Sequence, residues 1–162
     1  MPKFLNPFEK PAYFEQALFL YTKYSKFLDD DYASNGLSCY DYFLNLITKT
    51  LFFVIVEDDE FVGFVYLDNF IGDSERLHSA ELTTCFDRRF WGNYTKACAK
   101  IFLNHCFEKY GFKKIKALVY PENFRVKTLL KTAGFKKEAL LKGETLRGGK
   151  LQDIEVYSVI YN

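Results

Sequence analysis

The segment Phe86-Asp87-Arg88-Arg89-Phe90-Trp91-Gly92-Asn93-Tyr94-Thr95 holds the richest chemistry in the chain. It joins an expected strand to the start of an expected helix, where backbone N–H groups have no carbonyl partner within the helix. Those donors, the positive end of the helix dipole and the guanidinium groups of Arg88 and Arg89 together favour a phosphate. One glycine in a loop, Gly92, also suits a plain turn, so the segment alone is a candidate anion site. Other reactive groups are sparse. The cysteines at 39, 85, 98 and 106 include no Cys-x-x-Cys pair, and only His78 and His105 accompany them. Zinc-ligand spacing is therefore absent, and no cysteine has the basic partner that a Cys-His nucleophile needs. Free thiols suit a reducing cytoplasm, the expected location.

Charge is divided unevenly along the 162 residues. Residues 1–80 hold 6 Lys/Arg against 13 Asp/Glu, and residues 81–162 hold 16 against 8. This polarity suggests an anionic ligand on the second half and a cationic one near the first. Aromatic residues make up 19% and hydrophobic residues 49%, which excludes disorder and implies a packed globular chain. The longest apolar run, Leu51 to Val56, is far short of the roughly 20 residues of a membrane span, and Met1-Pro2-Lys3-Phe4 lacks a signal-peptide core. Lys113, Lys114 and Lys116 beside Phe112 lie on a turn and a strand start without a groove-reading motif, so nucleic acid is not expected.

The elements that must position these groups follow from periodicity. Phe14, Ala17, Leu18 and Tyr21 recur at three and four, predicting a helix over 12–28, and Ser38 with Asp41 caps a second to about Thr48. Leu51–Glu57 and Glu60–Leu67 read as a hairpin about Asp58-Asp59, and a third strand runs from Ser79 to Phe86. A helix spans Thr95–Tyr110 and stops at Gly111. Lys114–Tyr120 is a strand, Pro121-Glu122-Asn123 opens a helix that ends at Gly134, and Phe135–Leu141 is strand-like. Gly148-Gly149 turns the chain into a last strand, Leu151–Ile160. No linker divides the sequence, so residues 1–162 form one α/β (α+β) domain with a mixed sheet and helices on its faces.

Arg89-x-x-Gly92 followed by Tyr94-Thr95-Lys96-Ala97 resembles the pyrophosphate loop of the GNAT superfamily of acyl-coenzyme-A-dependent N-acetyltransferases. Tyr120-Pro121-Glu122-Asn123 and Gly134-Phe135-Lys136-Lys137-Glu138 resemble the second half of that coenzyme site. Arg147-Gly148-Gly149-Lys150-Leu151-Gln152-Asp153 with Tyr157-Ser158 is similar to the closing hairpin of the ribosomal-protein N-terminal (serine/alanine) acetyltransferase branch. The resemblance covers Leu51 to Asn162. It implies a mostly antiparallel central sheet with a splayed strand pair at the coenzyme site. Three positions depart from the pattern: Tyr94 replaces a second small loop residue and could crowd the pyrophosphate, Leu130 replaces a tyrosine acid, and Val126 replaces a serine.

The resemblance implies acetyl-CoA as cosubstrate and direct attack of a neutral amine on the acetyl thioester. Such a reaction needs orientation, loss of an ammonium proton and stabilisation of the oxyanion by backbone N–H groups. The implied coenzyme contacts are Thr84, Cys85 and Phe86 on the strand, the loop Arg88, Arg89, Phe90, Trp91, Gly92, Asn93, Tyr94 and Thr95, and Asn123. Arg125, Lys127 and Lys131 could reach the nucleotide phosphates, and a solvated helix face explains them equally. Glu81 is the candidate base, with His78 the alternative; His105 reads as a packed or surface histidine. The acceptor is an amine of a small molecule or a protein N-terminus, and the chain is expected to be a monomer or homodimer. A non-catalytic GNAT-like module that binds coenzyme or a partner remains the alternative, on the strength of Tyr94, Leu130 and Val126.

Overall fold

A computed structural model describes residues 1–162. Pro11 opens α1 (Pro11–Leu28) at the first helical position, where its missing N–H costs nothing. Ser38 caps α2 (Cys39–Lys49) by accepting the Asp41 amide at 3.1 Å. Their apolar faces bury Tyr13, Ala17, Tyr21, Phe43 and Ile47. Strands β1 (Lys3–Leu5), β2 (Leu51–Glu57), β3 (Glu60–Gly72) and β4 (Leu77–Phe86) follow one another across the sheet. A 3-10 turn at Arg88–Phe90 leads to α3 (Asn93–Tyr110), which ends where Gly111 takes the left-handed conformation, φ 71°. Then come β5 (Lys114–Val119), α4 (Phe124–Thr132), β6 (Lys136–Arg147) and β7 (Lys150–Ile160).

The seven strands form one sheet in the order β1-β2-β3-β4-β5-β7-β6, antiparallel throughout except for β4 beside β5. Each face carries its own core. Helices α1 and α2 pack Tyr21 and Phe43 on Phe52, Phe64 and Tyr66, while α3 and α4 pack Phe102 and Leu129 on Val65, Ile115 and Tyr157. A sheet apolar on both faces needs such cover on each. This is the mixed α/β architecture expected from the sequence, with three differences. Strand β1 is too short to carry a periodic signal and exists by pairing with Val54–Val56. Strand β3 continues past Leu67 to Gly72, its last part irregular in register and bent at Asn69, φ 50°. Strand β6 runs to Arg147 rather than Leu141, because β7 gives its mostly solvated residues a ladder partner.

Candidate active site

Strands β4 and β5 pair only from Ser79↔Lys114 to Glu81↔Lys116, although β4 extends to Phe86 and β5 to Val119. Beyond that point they diverge, and the edge of β4 that faces β5 has no strand partner. A cavity of about 400 Å³ opens in the wedge. Leu82, Thr83 and Thr84 line one wall and Ala117, Leu118 and Val119 the other. Asn123, Val126 and Leu130 come from the α4 side, while Asp29, Asp30 and Asp68 line it with Tyr42 and Tyr66. The protein thus brings an unpaired strand edge and a group of carboxylates into one space.

At the loop end, Gly92 is the N-cap of α3 with φ 116° and ψ −134°, a conformation open to glycine, and no side chain caps the helix. The amides of Asn93, Tyr94 and Thr95 have no acceptor within the fold, since the first helical bond is made by the Lys96 amide to Gly92. The Thr95 hydroxyl bonds the Gly92 carbonyl at 2.8 Å and steadies the turn. Three free donors at a helix start fit a pyrophosphate. Tyr94 does not crowd them as its bulk suggests: its ring packs on Phe90 and the core, and its hydroxyl, buried without a partner, faces the Glu57–Asp58 turn. Arg88 extends over the Trp91 ring at 5.8 Å. Arg89 is instead committed to Asp87 and Glu60, at 3.3 and 3.0 Å, so its charge is largely matched inside the fold.

Trp91 marks the open end of the wedge. The Asp87 amide bonds Val62 of β3, so the trans peptide turns the Phe86 carbonyl away from β3, toward the gap. The Trp91 indole N–H donates to that carbonyl at 2.9 Å, and the Arg125 guanidinium lies 3.5 Å from the indole ring. A ligand running along this edge meets an indole where an unbonded carbonyl would otherwise stand. Cys85 points into the α1/α2 core, and burial pushes its thiol up to about 12, which removes it as a nucleophile. Asn123 accepts the Val126 amide at 3.4 Å, capping α4, while still lining the cavity. Lys127 is held by Glu155 at 2.9 Å and by the Pro121 carbonyl, and Lys131 is exposed on α4.

At the acidic end of the cavity the carboxylates are held by distant parts of the chain. Asp29 receives the Tyr21 hydroxyl, and burial raises its pKa. Asp30 accepts from the Thr145 hydroxyl at 2.6 Å. Asp31 takes the Gly148 and Gly149 amides at 2.8 and 2.9 Å, and the Arg147 guanidinium bonds the Lys26 carbonyl. The tip of the β6–β7 hairpin therefore clamps the turn after α1. Burial above all, then the charge of Glu81, pushes Asp68 up to about 6.

The two candidate bases separate. Glu81 faces Asp68 across the β3–β4 ladder at the closed end of the wedge, its carboxylate accepting from the Asn69 side-chain Nδ2 at 2.6 Å. His78 is exposed and lines a different hollow with Tyr110, Gly111 and Lys113, so the structure does not bring it to the cavity. His105 packs among Phe4, Phe53 and Phe102 on the opposite core, as read from sequence. Asp68, Asp29 and Asp30 were not identified as site residues from the sequence. The acidic bias of the first half was the available signal, but it could not select which acids converge.

The family model for the acetyltransferase (GNAT) domain matches residues 19–136. Among solved structures, spermidine N-acetyltransferase from Vibrio cholerae in complex with CoA and spermine superposes with a TM-score of 0.75 at 20% identity, over 99% of this chain and 94% of that one. Ribosomal-protein-S5-alanine acetyltransferase from Vibrio fischeri gives 0.73 at 16% identity over 98% and 91%. RimJ from Mycobacterium smegmatis in complex with CoA-disulfide gives 0.71 at 23% over 90% and 76%. A search of curated protein sequences finds no match. With the family model covering most of the chain, the chain belongs to the GNAT family of acetyl-CoA-dependent N-acetyltransferases.

Proposed function

We propose that the protein transfers the acetyl group of acetyl-CoA to a primary amine, on a small molecule or a protein N-terminus, that enters the wedge at its acidic end. The observation that carries this reading is the continuity of the cavity: the unpaired edge of β4 and the carboxylates of Asp29, Asp30 and Asp68 line one space. The coenzyme's pyrophosphate lies on the amides of Asn93, Tyr94 and Thr95, with Arg88 and Trp91 nearby. Its arm follows Thr84, Cys85 and Phe86 toward Asn123, and the thioester is presented beside Leu82–Thr84. A cationic amine is drawn to the opposite end, where Tyr42 and Tyr66 give its carbon skeleton an aromatic wall. Attack forms the C–N bond, backbone N–H groups of β4 stabilise the oxyanion, and the C–S bond then breaks. Relatives in fold that are named for spermidine and for a ribosomal-protein alanine support an amine acceptor.

Leu130 and the Trp91 indole on the Phe86 carbonyl favour a second reading, coenzyme binding without efficient turnover. Two measurements separate these readings. Acetyl-CoA at 100 times its Kd raises stability by about 2.7 kcal/mol, visible as a higher Tm, whereas inorganic phosphate does not reproduce the rise. A panel of peptides, polyamines and small amines, followed by release of free thiol, then shows acetylation of at least one. Binding without release across the whole panel establishes the second reading, and no rise in Tm overturns both.

A further inference from the structure

We infer that Asp68, rather than Glu81, is the carboxylate that takes the ammonium proton of the acceptor amine. This rests on the acetyl-transfer reading above. Of the three carboxylates lining the cavity, Asp29 is occupied by the Tyr21 hydroxyl and Asp30 by the Thr145 hydroxyl and the Tyr32 amide. Asp68 receives no hydrogen bond from any other residue, its own backbone amide excepted. Among those three it is the carboxylate that no other residue engages, with both oxygens open to an incoming N–H.

Its place in the sheet explains why. Asp68 is the last residue of β3 in regular register, directly opposite Glu81, and the ladder then skips to Ile71↔Ser79. The irregularity puts Asn69 at φ 50°, and its side-chain Nδ2 donates to the Glu81 carboxylate at 2.6 Å. Glu81 is thereby engaged and does not line the cavity, whereas Asp68 does. The Glu81↔Lys116 pair is also the last between β4 and β5 before the wedge opens, so Asp68 stands one cross-strand step from the point of divergence. The charged and titratable groups around it are Glu81 from β4, Asp29 and Asp30 from the turn after α1, Tyr42 from α2 and Tyr66 from its own strand. Lys116 of β5 lies in register with Glu81. With several acids and one cation in that shell, and with partial burial, Asp68 is a stronger base than an ordinary aspartate.

The step balances without another reactant. An N–H bond of the ammonium breaks and its proton joins an Asp68 oxygen, leaving the nitrogen lone pair to form the C–N bond. The carbonyl π electrons move to oxygen and return as the C–S bond breaks, with its electron pair leaving on sulfur. A second nitrogen proton neutralises the thiolate, and Asp68 gives its proton to water.

The test is the pH dependence of kcat/KM for the best amine of the panel, measured on the full chain with saturating acetyl-CoA between pH 5 and 8.5. The wild type shows a rising limb near pH 6. Asp68→Asn removes the limb and lowers the plateau by about a hundredfold or more, while the acetyl-CoA-induced rise in Tm persists; Asp68→Glu restores part of the rate together with a limb. Glu81→Gln moves the limb to lower pH, because a negative neighbour is lost, but does not remove it. A wild-type profile without that limb, a limb that survives in Asp68→Asn, or its abolition by Glu81→Gln overturns the assignment while leaving acetyl transfer intact. Should Asp68→Asn fail to fold, the wild-type limb and its displacement in Glu81→Gln decide. Absence of turnover of any amine by the wild type overturns acetyl transfer and this assignment together.

Discussion

Replacing Asp68 by Asn should make the folded protein more stable at pH 8 and leave its stability unchanged near pH 3.5. The carboxyl titrates at about 6 in the fold against an ordinary value of 3.8, mainly because burial disfavours its charge. Each pKa unit corresponds to about 1.4 kcal/mol, so the two-unit rise sets an upper bound of about 3 kcal/mol. Asp68 is only partly buried, and solvent screening reduces the expected effect to about 1–2 kcal/mol. The direction follows from proton linkage. A carboxyl whose folded pKa is raised contributes stability that is fully present below the unfolded value and lost as pH rises through about 6. Asparagine keeps the shape without the charge, so it avoids that loss. Thermal denaturation followed by circular dichroism should show Asp68→Asn melting about 2–8 °C above the wild type at pH 8, with the two curves coinciding near pH 3.5. Equal Tm values at pH 8, or the same gain at both pH values, would refute the argument that Asp68 is charged at an electrostatic cost. A gain in stability alongside the loss of turnover would mark a residue retained for chemistry rather than for the fold.

Gly92→Asp places a side chain where φ is 116° and a carboxylate beside the free amides of α3, so acetyl-CoA should no longer raise the Tm even though the protein folds; an undiminished rise would move the coenzyme away from this loop. Asp31→Ala releases the Gly148 and Gly149 amides and loosens the turn that carries Asp29 and Asp30. The KM for the amine should rise severalfold with acetyl-CoA affinity unchanged, and steady-state kinetics with each substrate varied in turn checks this. Phe43 is fully buried among Tyr21, Phe52 and Phe64, so Phe43→Ala should cost about 3–5 kcal/mol in urea denaturation with little change in the denaturant slope.

Much of the molecule is determined locally, and those parts were legible in the sequence. The spacing of apolar residues from Phe14 to Tyr21, the Ser38 cap, the Asp58-Asp59 turn and the helix stop at Gly111 act over a few residues, and each appears in the structure where expected. The uncapped start of α3 belongs to the same class, because free amides at a helix start arise from the start itself and from the glycine before it. Features made by pairing or by long-range packing were not legible. Nothing near Arg89 in sequence announces Glu60, twenty-nine residues earlier, as the partner that matches its charge. Nothing around Tyr94 states that its ring turns to the core rather than over the loop. The acidic end of the wedge depends on tertiary structure most of all. Asp29 and Asp30 follow a helix, Asp68 sits at an irregularity in a strand, and Thr145 and Gly148 reach Asp30 and Asp31 from a hairpin more than a hundred residues away in the chain. Their charge was visible in the composition of the first eighty residues. Which of those carboxylates share one space, and which one is left without a partner, was decided only when the sheet brought β3, β4 and the β6–β7 hairpin around a single cavity.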